Sequence, residues 1–107
     1  MLTALYRWKI KPGYEQQFID CWSKITLYYR ENHGSNGSRL HRGNDGLFYG
    51  YAMWPSMEKR NSAFATGVEH PARPGMIEAI EESFPEVLLE VEADFLRSDM
   101  EPLVKSE

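Results

Sequence analysis

The stretch from Gly37 to Ser56, Gly-Ser-Arg-Leu-His-Arg-Gly-Asn-Asp-Gly-Leu-Phe-Tyr-Gly-Tyr-Ala-Met-Trp-Pro-Ser, constrains this chain more than any other. Two apolar, aromatic runs flank Gly43-Asn44-Asp45-Gly46, residues that tolerate positive φ, so the runs pair as an antiparallel hairpin. The second run stops at Trp54. Pro55 has no N–H to give to a sheet ladder, and Ser56 can accept a hydrogen bond from the free backbone N–H groups of a following helix. A strand therefore hands over to a helix at a large indole ring.

Periodicity supplies the other elements. From Thr3 to Lys11 the side chains alternate, with Ala4, Tyr6, Trp8 and Ile10 on one face and Leu5, Arg7 and Lys9 on the other. Pro12-Gly13 ends that strand. From Tyr14 to about Arg30, Tyr14, Phe18, Cys21, Trp22, Ile25, Tyr28 and Tyr29 recur at three- and four-residue spacing, which predicts a long amphipathic helix closed by Gly34. Met57 to about Thr66 reads as a short helix closed by Gly67, Val68 to Gly75 as a loop, and Met76 to Phe84 as a second short helix. Val87 to Leu96 alternates again, with Val87, Leu89, Val91, Ala93 and Phe95 on one face, and reads as the last strand.

This order predicts an α+β fold of the ferredoxin-like split βαβ type, a four-stranded antiparallel sheet with helices on one face. In that topology the first and last strands are neighbours. Arg7 and Lys9 would then face Glu90, Glu92 and Asp94, each opposite-charge pair contributing about 0.2–1 kcal/mol. The uncovered face would also carry Leu5, Leu88 and Leu96, and Tyr49 and Tyr51 from the hairpin, which suits a homodimer contact. Residues 1–97 are expected as one domain and 98–107 as a polar tail.

At 107 residues the chain is long enough for one modest core. A net charge of −4 without any basic run argues against nucleic acid or an anionic membrane surface and favours a small, weakly charged ligand. Exposed Phe48, Tyr49 and Tyr51 invite comparison with RNA-recognition sheets, but the basic, Gly-aromatic signature of those domains is missing. Cys21 is the single cysteine, so no internal disulfide forms. The three His lie far apart in sequence, so no metal site is expected, and no glycine-rich loop leads into a helix as a phosphate site requires. No run approaches the roughly 20 apolar residues of a membrane span, and the expected location is the cytoplasm.

Strand-Lys-Pro-Gly-helix at the start, then Gly-Ser-Arg-Leu-His-Arg, then Tyr-Ala-Met-Trp-Pro-Ser before a helix ending in Ala-Phe, resembles the antibiotic biosynthesis monooxygenase family. The resemblance covers roughly Leu2 to Phe64. It implies a dimeric α/β barrel, in which two sheets pack face to face, with a pocket in each subunit between sheet and helices. It further implies one of two activities, cofactor-independent oxidation of aromatic compounds by dioxygen or oxidative heme degradation. The heme-degrading members use an Asn, a Trp and a His. Here the Asn position falls near Tyr6, and Ala63 or Phe64 stands where the Trp should be, so that triad is absent. Trp54 matches a Trp found at the strand-to-helix junction across the family.

The expected function is therefore a cofactor-independent monooxygenase acting with dioxygen on a small aromatic or phenolic compound, with no cofactor and no metal. The alternative is a non-catalytic dimer that binds a small molecule in the same pocket. Such an oxygenase needs a dry cavity and a base or hydrogen-bonding group that helps form a phenolate. Tyr6 is a candidate for orienting a phenolic oxygen, and His70 a candidate general base on the loop between the short helices. Trp8, Trp22, Trp54 and Phe64 are candidates for substrate binding, Trp54 against the simpler reading that it seals the strand-to-helix corner as core. His41 shares its face with Arg39, opposite to Leu40, and should point to the outer side of the sheet. His33 sits where a helix C-terminus favours a cation.

Overall fold

The computed structural model describes residues 1–66 and 70–96. The elements run β1 (Leu2–Ile10), α1 (Glu15–Asn32), β2 (Gly37–Arg42), β3 (Phe48–Trp54), α2 (Met57–Phe64), α3 (Arg73–Ala79), β4 (Ile80–Ser83) and β5 (Val87–Glu90). They form the expected α+β fold, with one open antiparallel sheet ordered β2-β3-β1-β4 and with β5 also pairing to β1. Gly43 and Gly46 close the hairpin: Gly46 has φ 86°, and the Gly43 N–H donates to the Leu47 carbonyl at 2.8 Å. The Asp45 carboxylate accepts from the Leu47 N–H at 3.0 Å and from the Tyr49 hydroxyl, which holds Asp45 below and Tyr49 above its usual range. Ser56 caps α2 as expected, its hydroxyl oxygen accepting from the Lys59 N–H at 3.1 Å.

The core lies between the sheet and the helices because the two periodicities match there. Inward Trp8 and Ile10 of β1 and Phe48 of β3 meet Phe18 of α1 and Ala79 of α3. Leu2, Ala4, Ala52 and Trp54 meet Ala63 of α2. Phe18 is fully buried and touches Trp8 and Phe48 edge-on, at ring-centre distances of 5.1 and 5.5 Å. Aromatic pairs of this kind add about 0.5–1.5 kcal/mol beyond area burial.

The C-terminal third departs from the expectation. The helix expected over Met76–Phe84 begins earlier, at Arg73 with Pro74 in its first turn, and ends at Ala79; Ile80–Ser83 is strand. Tertiary pairing overrides the helical spacing, because the free edge of β1 at Trp8–Ile10 needs partners for its N–H and C=O groups. The last strand covers only Val87–Glu90, while Phe95 and Leu96 stand 95% and 78% exposed. β4 and β5 thus occupy successive stretches of one β1 edge, so the fourth position of the sheet is a broken strand rather than a continuous one.

The break has a countable cause. Ser83 lies opposite Trp8 and Val87 opposite Leu5, so Phe84, Pro85 and Glu86 face only Tyr6 and Arg7. One extra residue makes this a bulge, at the one place where Pro85 has no N–H for the ladder. The bulge reverses the expected parity: Val87 and Leu89 lie opposite Leu5 and Thr3 on the outer face, and Leu88 lies opposite Ala4 on the helix side. The expected ladder of Arg7 and Lys9 against Glu90, Glu92 and Asp94 does not form. Glu90 sits opposite Leu2, Lys9 pairs with Glu81 at 3.2 Å, and the Arg7 guanidinium lies 5.1 Å from the Phe84 ring centre. The expected polar tail and Gly67 lie outside the described residues.

Candidate functional site

The inner face of the sheet and the three helices enclose a cavity of about 440 Å³. All six candidate site residues line it: Tyr6, Trp8, Trp22, Trp54, Phe64 and His70. Strand alternation brings Tyr6 and Trp8 to one side, where their rings stack at 5.7 Å and 14°. Opposite Tyr6 on β3 stands Gly50, and a Cβ there would come within 3.0 Å of the Trp8 ring and 3.6 Å of Trp22 Nε1. Glycine therefore leaves room for the indoles at this point. At the other end Trp54, Tyr29 and Phe64 meet edge-on, at ring-centre distances of 5.4 to 6.2 Å. The walls are largely aromatic, and all three tryptophans of the chain belong to them.

A charged pair sits in this apolar setting, and Arg73 lines the cavity as well. Arg60, 9% exposed, projects from the buried side of α2 beside Ala63 and lays its guanidinium 4.8 Å from the Phe64 ring centre. Its Nη2 donates to both carboxylate oxygens of Glu86, which lies between β4 and β5, next to the Val87 that pairs with Leu5. Pairing is what makes the burial tolerable, since a lone buried guanidinium costs several kcal/mol. The Tyr6 hydroxyl bonds to Arg60. Burial, and then the nearby Glu86 carboxylate, push the Tyr6 pKa up against the opposing pull of Arg60. Tyr6 thus stays a protonated hydroxyl at neutral pH. Among the described residues, two buried side-chain N–H groups, Trp54 Nε1 and Arg60 Nε, have no hydrogen-bond partner.

His70 is held differently from a free base. Its Nδ1 accepts the Ala72 N–H at 2.9 Å, so the proton of the neutral ring lies on Nε2 and the remaining nitrogen donates. The ring stands edge-on to Tyr28 at 5.4 Å. His33 follows α1 and shares a hydrogen bond of 3.1 Å with the Tyr28 hydroxyl. His41 is exposed and edge-on to Tyr51 at 5.7 Å, on the strand face expected for it. Among the described residues no three His, Cys, Asp or Glu groups come together as a metal site requires. No helix among them is long and apolar enough to cross a membrane.

Sequence reasoning missed Glu86 and gave Arg60 no chemical role. Arg60 carried a faint signal, three residues before Ala63 on the inward side of α2. Glu86 carried none beyond its place after Pro85, because a bulge is a property of the pairing and not of one strand.

No family model matches the sequence, and no curated protein matches it. Solved structures do. SnoaB, a cofactor-independent oxygenase from Streptomyces nogalater, superposes with a TM-score of 0.74 at 14% identity, over 90% of this chain and 97% of that one. A crystal structure of an antibiotic biosynthesis monooxygenase superposes at 0.70 with 17% identity, over 87% of this chain and 100% of that one. Rv0793 from Mycobacterium tuberculosis superposes at 0.71 with 11% identity, over 89% and 98%. At such identities the likeness is one of fold, and the fold is that of the antibiotic biosynthesis monooxygenases.

Proposed function

We propose that this chain, sharing the fold of cofactor-independent oxygenases, is a cytoplasmic homodimer that oxidises a small aromatic or phenolic compound with dioxygen. The observation that carries the reading is the cavity itself. Its aromatic walls suit a planar ring, its ion pair is neutral overall, and Tyr6 keeps a hydroxyl ready to bond an oxygen on that ring. In this chemistry the substrate supplies the electrons. A ring methylene flanked by arenes becomes a carbonyl, taking one oxygen atom of dioxygen while the other leaves as water. The protein's part is to bind the ring, exclude bulk water and hold its oxygen against Tyr6.

Oxygen uptake with anthrone- and dihydroquinone-type phenols tests this directly. Uptake should exceed the autoxidation blank and fall about tenfold in Tyr6→Phe, the loss expected for one hydrogen bond made to developing charge. Uptake equal to the blank across the panel, together with quenching of tryptophan fluorescence by the same compounds, would instead identify a binding protein.

A further inference from the structure

We infer that Glu86 is the proton acceptor of the cavity and that the group it serves is the ring hydroxyl of a phenol. The inference rests on the proposed aromatic ligand and adds the residue that would activate it. Among the described residues lining the cavity, Glu86 is the only carboxylate. The other polar groups there are poorly suited to accept a proton. His70 has its Nδ1 lone pair occupied by the Ala72 N–H, Tyr6 is a bonded hydroxyl, and Arg60 and Trp54 only donate.

The transfer balances within the site. The phenol O–H bond breaks, a carboxyl O–H bond forms on Glu86, and the electron pair stays on the phenolate oxygen. Arg60, no longer facing a carboxylate, faces the phenolate, and the Nη2 group that held Glu86 becomes its donor. The net charge of the cavity does not change, which matters where unbalanced charge is costly. Tyr6, bonded to Arg60 and close to Glu86, is a titratable group against this pair, and Tyr29, Tyr51, His70 and Arg73 also line the cavity.

Magnitudes choose the probe. An ordinary phenol and a carboxylic acid differ by about six pKa units, and a neighbouring guanidinium offsets about one to three of them. Roughly one bound phenol in a thousand to one in a hundred thousand would then be ionised at any moment, enough to react but too few to see. An electron-poor phenol, 4-nitrophenol, brings the population into view.

The experiment is 4-nitrophenol binding to the full chain, followed by tryptophan fluorescence, by the yellow phenolate band and by infrared difference spectra. The wild type should quench, turn yellow and gain a carboxylic-acid C=O stretch. Glu86→Gln, which keeps an acceptor for Arg60, should quench comparably and lack that stretch; Glu86→Asp, read alongside in case the amide variant fails to fold, should show it shifted in frequency. Quenching with the same acid stretch in Glu86→Gln, or a phenolate band without that stretch in the wild type, overturns the assignment of Glu86 and leaves the aromatic pocket standing. Unchanged fluorescence in the wild type overturns the pocket reading, and this inference with it.

Discussion

Gly50 shows how one side chain sets the shape of the site. Adding a methyl there meets the Trp8 ring at 3.0 Å, closer than side chains tolerate without moving. Overpacking costs about 1–3 kcal/mol, while alanine in a strand recovers about 0.5–1 kcal/mol relative to glycine. Gly50→Ala should therefore lose about 1 kcal/mol in urea unfolding and shift tryptophan emission, because Trp8 has to move. An unshifted spectrum and unchanged stability would mean that the indole is not held against Gly50. The Lys9–Glu81 pair differs in kind: both side chains are about half exposed, so solvent screening leaves it little weight in stability.

At the scale of elements, α2 depends on its first turn more than on its apolar face, for only Arg60 and Ala63 of its eight residues are buried. Ser56 supplies the cap, and Ser56→Ala should cost about 1 kcal/mol by thermal or urea unfolding. A loss below a few tenths would show that packing of Trp54 and Phe64 alone holds the helix. The loosening should also weaken ligand binding, since α2 carries both Arg60 and Phe64 into the cavity. The broken edge strand works in the opposite way. Its bulge gives up ladder hydrogen bonds at Pro85 and in return turns Glu86 toward Arg60.

For the whole molecule, the proposed homodimer rests on the outer face of the sheet. Leu5, Tyr49, Tyr51 and Met53 lie there, joined by Val87 and Leu89, which the bulge has turned outward. Such a face is more apolar than the alternation of the last strand suggested, and it favours the proposed homodimer. Light scattering should give a dimer mass for the wild type and a monomer for Leu89→Asp, whose 43% exposed position in one chain leaves the core untouched. A wild-type monomer at all concentrations would refute the contact. Much of this architecture was legible beforehand: the inward set Ala4, Tyr6, Trp8 and Ile10, the hairpin at Gly43–Gly46 and the cap at Ser56 all follow from local spacing and turn chemistry. Those features depend on neighbours a few residues apart, which a linear sequence displays. The strand at Ile80–Ser83, the reversed faces of Val87–Glu90 and the Arg60–Glu86 pair depend on what the free edge of β1 required. Residues separated by many turns of chain met there only after the sheet had formed, and the energy of that pairing outweighed their local preference.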